Sequence, residues 1–211
     1  AAAGLRPVVY LVDRPGLTQA TVLVGEPGIP LSDPDLFPLD VLGGVFNSFG
    51  GQLFDTLRSR QGLAYSVAGG WDSPPDHTGL FLAGGQTSSP GEFLTSLRRL
   101  LQRATAASSG PSASELAAAQ AETLNSFAFN FASSAAQLQR ILVYDLLGLP
   151  QDFLFRYQRG IAAVGRGAVL RAAAAHLHPG AQAVVVVADG GRVRAGLEAA
   201  GYEVVELGLQ D

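Results

Sequence analysis

Arg58 and Tyr65, with six residues between them, are the pair in this chain whose types and spacing could do chemistry. They flank a Gln61-Gly62 turn inside the segment Leu42-Gly43-Gly44-Val45-Phe46-Asn47-Ser48-Phe49-Gly50-Gly51-Gln52-Leu53-Phe54-Asp55-Thr56-Leu57-Arg58-Ser59-Arg60-Gln61-Gly62-Leu63-Ala64-Tyr65-Ser66-Val67. A guanidinium is a rigid fork of donors, and a phenol adds one further O–H. Together they suit carbonyl oxygens and a developing oxyanion. The pattern sets Arg58 in the last turn of a short helix and Tyr65 just inside the next strand. The Gln61-Gly62 turn can then bring both to one rim of a sheet. Residue types alone leave a plainer alternative open, with Arg58 paired to Asp55 one turn earlier and Tyr65 half-buried as packing.

Other chemistries lack their residues. The chain has no cysteine, which removes thiol catalysis, disulfides and Cys-ligated metals. Its three histidines are His77, His176 and His178, and neither H-E-x-x-H nor H-x-x-E-H occurs. His77, in a Pro-rich turn, reads as solvated. His176 and His178 read as complements to the negative end of a helix that stops before Pro179-Gly180. No metal is assigned to this chain. The phosphate loop G-x-x-x-x-G-K-[ST] is absent, and Gly165-Arg166-Gly167 lacks a third glycine and a preceding strand. Ser48 has Phe46 where a nucleophile elbow needs glycine. Asp189-Gly190-Gly191 reads as a tight turn capping a helix, and Trp71 as packing against Phe81.

The elements that must position the pair are legible from periodicity and punctuation. Arg6–Asp13 and Thr18–Gly25 read as strands joined by Asp13-Arg14-Pro15-Gly16, a hairpin-like opening. Ser32-Asp33-Pro34-Asp35 starts a helix running to about Phe46, and a second covers Gln52–Arg60. Leu63–Trp71 and Gly79–Gly85 form another hairpin-like pair. Ser89-Pro90-Gly91-Glu92 and Ser112-Ala113-Ser114-Glu115 both fit capping boxes. They open helices with apolar faces at Leu94, Leu97 and Leu101, and at Leu116, Leu124, Phe127 and Phe131. Leu138, Ile141, Leu142 and Leu146 keep helical spacing, and shorter helices follow over Asp152–Gly160 and Arg166–His176. Ala183–Ala188 is a fully buried strand, Arg192–Ala200 a helix and Tyr202–Leu207 a last strand. The order predicts one α+β domain over 1–211, a two-layer mixed sheet of about six strands with helices on one face.

Composition narrows the partners. Of 211 residues 47% are hydrophobic and 15% charged, which excludes global disorder. The formal charge is −4 and the arginines are scattered, so a nucleic-acid partner is not expected. No apolar run reaches the roughly 20 residues of a membrane span, and no basic, then apolar, leader opens the chain. The compartment is left open.

The Arg/Tyr segment resembles the second, zinc-free domain of the M16 (pitrilysin/insulinase-type) metallopeptidases. Leu42-Gly43-Gly44, Ser48, Leu53-Phe54, Leu57-Arg58, Gly62-Leu63-Ala64-Tyr65 and Val67 carry the resemblance. The opening Val9-Tyr10-Leu11-Val12-Asp13-Arg14-Pro15-Gly16, with Gln19, fits how that domain begins, and Gln52 stands where the family often has Arg. The resemblance implies the M16 / LuxS-metallohydrolase-like half-fold. It implies that Tyr65 donates to the scissile carbonyl and its tetrahedral intermediate while Arg58 orients the substrate backbone. Gly43, Gly44 and Ser48 join them as substrate-binding residues. Zinc and its general-base Glu would come from an H-x-x-E-H-bearing half, fused or separate, closing with this one around an unfolded peptide. The absence of methionine fits an excised or processed half. Two other roles share the fold: a scaffold subunit like the cores of the respiratory bc1 complex, and an isolated peptide-binding module. An unpartnered half would expose apolar surface, so a homo- or hetero-oligomer is expected.

Overall fold

The longest β-branched run, Ala183–Ala188, is paired on both edges inside the sheet. Only Val184, Val186 and Ala188 of it are buried, so the fully buried strand of the sequence reading is corrected to one with a face left open, because helices cover only the other. The computed structural model describes residues 7–48, 50–127 and 133–208. Its strands are β1 (Val8–Asp13), β2 (Ala20–Pro27), β3 (Ser66–Asp72), β4 (Leu80–Thr87), β5 (Ala183–Ala188) and β6 (Glu203–Glu206). They form one mixed sheet in the order β3-β4-β2-β5-β1-β6. The opening pair is therefore no hairpin. β5 separates the two strands, parallel to β1 and antiparallel to β2. A hairpin of β1 and β2 would leave that apolar run without a second neighbour. The β3–β4 hairpin does form, with Trp71 opposite Phe81.

The helices are α1 (Leu36–Asn47), α2 (Pro90–Thr105), α3 (Ala113–Phe127), α4 (Ser134–Leu146), α5 (Phe153–Ala163), α6 (Arg166–His176) and α7 (Gly190–Ala199). One sheet face carries Val9, Leu11, Val22, Phe81, Val184 and Val186, all fully buried. Leu42 and Phe46 of α1, Phe93, Leu97 and Leu101 of α2 and Leu197 of α7 close the same core. Trp71 stacks on Phe46 with ring centroids 6.3 Å apart and meets Phe81 at 4.7 Å. Helices thus cover one face. Across the sheet, Tyr10, Leu23, Leu80, Leu82 and Val205 are exposed.

Local signals were partly right. The Ser112–Glu115 box closes in both directions: Ser112 N–H donates to Glu115 Oε2 at 2.8 Å, and Glu115 N–H to Ser112 Oγ at 3.2 Å. The box expected at Ser89 does not close. Ser89 N–H already donates to Thr87 Oγ1 at 3.0 Å, so no donor is left for Glu92. On α3, Leu116 is buried and Leu124 packs on the core. The Phe127 side chain and Phe131 lie outside the described residues. On α4 the helix forms, but no residue of it is buried.

Candidate functional site

After α1 the chain must turn back to start β3, and the glycines allow it. A Cβ on Gly51 would lie 2.6 Å from the Phe46 carbonyl oxygen, so only glycine fits. The Gln52–Arg60 helix of the sequence reading becomes, over Phe54–Arg60, a π-helical segment. Wide turns of this kind recur at functional sites. Gln61 N–H reaches back to the Thr56 carbonyl, and Leu63 N–H to that of Leu57. Leu57 anchors the segment in the core while Arg58, Ser59 and Arg60 face solvent. Gly62, at φ +64°, completes the turn.

Two successive steps then bring the pair together. Tyr65 N–H donates to the Gln86 carbonyl at 2.9 Å, which pins the tyrosine at the mouth of β3. The residue is 67% exposed. The Arg58 guanidinium carbon lies 5.7 Å from the tyrosine ring's centroid and 4.9 Å from the Phe54 ring, held by two aromatic faces. Asp55 is engaged by Arg60 at 2.7 Å, so the plainer pairing with Arg58 is taken by its neighbour. A cation and a phenolic O–H therefore face solvent side by side at the start of an edge strand. They can donate together to a carbonyl oxygen arriving along that edge. Donors of this kind do not fit a catalytic zinc, which needs imidazole, thiolate or carboxylate.

Asn47, not singled out by the sequence, controls the same edge. Its amide Nδ2 donates to the Gly69 carbonyl while Oδ1 accepts from Gly69 N–H at 2.9 Å. One side chain thus satisfies the outward backbone groups of β3 at that residue, as a neighbouring strand would. The signal available was an Asn at a helix end just before a Gly-rich turn. Beside it, a hollow of about 580 Å³ runs over Ser66–Gly70, Leu82–Gln86, Thr21 and Leu23.

The other residues implicated by the sequence sit elsewhere. Gly43, Gly44 and Ser48 line a hollow of about 250 Å³ between α1 and α3, with Asp40, Asn47 and Glu122. Gly44 also has a packing duty, because a Cβ there would lie 3.1 Å from that of Ala119 on α3. Asp40 is held by burial at a pKa raised to about 6, which a hydrogen bond from Tyr157 partly offsets. Gln52 Nε2 donates to Glu115 Oε1 at 2.7 Å, tying the π-helical segment to α3.

The histidines pair with carboxylates. His176 Nε2 meets Asp35 Oδ2 at 3.0 Å, and His178 Nδ1 meets Glu26 Oε2 at 2.8 Å, fastening the end of α6 to α1 and β2. His77 pairs with Asp76 at the surface. Among the described residues, ligand atoms of Asp33, Asp35 and His176 lie within 4.8 Å of one another. Asp35 is occupied there by the imidazole, and Asp33 Oδ1 by the Asp35 N–H at 2.8 Å. Asp189 begins α7 as the sequence suggested, but the carboxylate at that helix start belongs to Asp13, accepting from Gly190 N–H at 2.7 Å. No helix among the described residues is long and apolar enough to cross a membrane.

Residues 4–123 match the family model described as the peptidase M16 inactive domain, more than half of the chain. No curated protein matches the sequence. Among solved structures, a peptidase M16 inactive domain from Pseudomonas fluorescens superposes with a TM-score of 0.75 at 21% identity. That match covers 87% of this chain and 43% of the other, so this chain spans less than half of its relative's length. The inactive peptidase domain from Bordetella parapertussis gives 0.69 at 20% identity, covering 83% and 94%. A chain of Complex III2 from Candida albicans gives 0.70 at 15% identity, covering 94% and 50%.

Proposed function

The chain belongs to the peptidase M16 inactive-domain family, and from that premise we propose that it is the substrate-binding, transition-state-stabilising half of a zinc-dependent metalloendopeptidase. Its substrates are unfolded peptides. The observation that carries the reading is the exposed Arg58–Tyr65 pair at the mouth of an edge strand. The complementary half would hold zinc on its H-x-x-E-H helix and, with its general-base Glu, would supply the Lewis acid and the activated water. This chain's residues do the rest. An extended peptide aligns along β3, whose outward groups at Gly69 are reserved by Asn47, so pairing is confined to either side of it. Arg58 donates to a substrate backbone carbonyl and fixes its register. Tyr65 O–H donates to the scissile carbonyl oxygen, and that bond strengthens as negative charge develops. Gly43, Gly44 and Ser48 extend the substrate contacts toward α3.

Cleavage of a quenched, unstructured peptide tests this, with the chain alone and mixed with an H-x-x-E-H-bearing half plus zinc. Activity only in the mixture is expected. Resemblance to a chain of Complex III2 favours a second reading, a non-catalytic scaffold or assembly subunit. A stable but inactive assembly of the two halves would establish that one instead.

A further inference from the structure

The edge of β3 is not open along its whole length. An extended peptide entering beside Tyr65 can pair with the strand only until Gly69, whose outward groups Asn47 already holds. Asn47 ends α1, on the helix-covered side of the sheet, so the way past it runs over the opposite face. That open face holds the hollow of about 580 Å³. Strand register sets three rows across it: Ser66–Gln86–Thr21, Ala68–Gly84–Leu23 and Gly70–Leu82–Gly25. The edge strand thus contributes small side chains or none, and the middle row has a notch at Gly84. A Cβ on Gly84 would run into the Val22 carbonyl oxygen, so the backbone itself keeps the notch bare. Leu82 and Leu23 stand beside it, 45% and 44% exposed.

We propose that this hollow seats one large apolar side chain of the substrate peptide, aromatic or leucine-like, about three residues from the bond that Tyr65 addresses. The inference rests on the half-enzyme reading for the course of the peptide along β3. Ala68 is three residues beyond Tyr65, about 10 Å at the rise of an extended chain. A side chain leaving the peptide there crosses the small Ala68 and lies on Gly84 between the two leucines, as a cross-strand neighbour would. The volume falls within the roughly 300–1,000 Å³ of small-ligand sites. None of the residues lining the hollow is charged, so a Lys, Arg, Asp or Glu of the peptide would lose water there and gain no ion partner. Selection is for bulk and against charge at one residue of the peptide, and Leu23 and Leu82 set it.

The test needs no zinc-bearing half. A short, fluorescein-labelled, Ser- and Gln-rich peptide with one central Phe is titrated with this chain by anisotropy, alongside the same peptide carrying Ala or Glu there. The Phe peptide should bind at least about tenfold more tightly than the Ala peptide, and the Glu peptide most weakly. Ala68→Phe lays a ring over the notch from the protein's own edge strand and should erase the preference. Leu23→Gln should weaken it from the next wall. Both positions are exposed, and circular dichroism checks that each variant folds, so one failure leaves the other to decide. Benzoylphenylalanine in place of the Phe should cross-link to Leu23 or Leu82 on irradiation. Equal affinities for the three peptides, no binding, a preference that survives Ala68→Phe, or a cross-link to the exposed leucines of α4 instead would overturn the proposal. A seat that holds while the two-half mixture cleaves nothing sinks the peptidase reading alone. Cleavage with no preference at this residue sinks the seat alone.

Discussion

Two tyrosines in this molecule meet charged partners and are used in opposite ways. Tyr65 is 67% exposed, with the Arg58 guanidinium over its ring and its O–H free to face a ligand. Tyr157 is tucked against Phe37 at a centroid distance of 5.8 Å, and its hydroxyl bonds to the half-buried Asp40. Burial pushes the Tyr157 phenol above its usual range, and the neighbouring carboxylate pushes it further. The same side chain is a solvent-facing donor at one site and a structural strut at the other. Exposure and the sign of the neighbour decide which. A cation leaves a phenol free to donate outward, whereas a buried carboxylate consumes that donor.

The comparison breaks most visibly in catalysis. Tyr65→Phe should lower kcat of the complemented enzyme by about 10²–10³-fold, the usual cost of losing an oxyanion donor. Its thermal stability should stay within about 0.5 kcal/mol of the parent, as for other exposed substitutions. An equal loss of stability would place Tyr65 in Tyr157's class.

Asp40 sharpens the contrast through pH. Its folded pKa of about 6 lies above the ordinary 3.8, so folding favours the protonated form. The stability tied to this group is complete below about pH 4 and is lost as the pH rises to about 6. Asp40→Asn should therefore stabilise the protein at pH 7.5, by up to about 3 kcal/mol. The gain should vanish at pH 4 in denaturant melts, and a constant difference across that range would refute the assignment. Next in size, Tyr157→Phe strips the donor from Asp40 and should cost about 1–3 kcal/mol at pH 7.5 without touching kcat. The smallest effect concerns the strand edge. Asn47→Ala leaves the outward groups of Gly69 to water and should cost about 1 kcal/mol. It should also change KM for peptides more than kcat, a split that steady-state kinetics would read.

Much of this was legible in the residues. Arg166–His176 and Ala183–Ala188 end where the sequence reading put them, because Gly165 and Pro179-Gly180 punctuate the first and an unbroken apolar run stopped by Asp189-Gly190 defines the second. The Arg58–Tyr65 juxtaposition was allowed by a turn glycine between a helix and a strand, but residue types alone left Arg58 equally able to pair with Asp55, which Arg60 takes instead. Sheet order did not follow. That β5 enters between β1 and β2 depends on a pairing more than 150 residues away in sequence, invisible to local reading. Asn47 escaped for a similar reason, since its partner is the backbone of Gly69, which no side-chain pattern announces. The Ser89 box failed because a hydroxyl two residues earlier won the competition for one N–H.

The role proposed for Tyr65 is to donate to the reacting carbonyl without holding the domain together. The most direct measurement is single-turnover cleavage of a quenched peptide by the two-half mixture, with Tyr65 or Phe at that position, alongside peptide affinity. Unchanged affinity and a rate lowered by about 10²-fold or more are expected for the Phe protein. Equal rates for the two proteins, or cleavage by this chain alone, would contradict it.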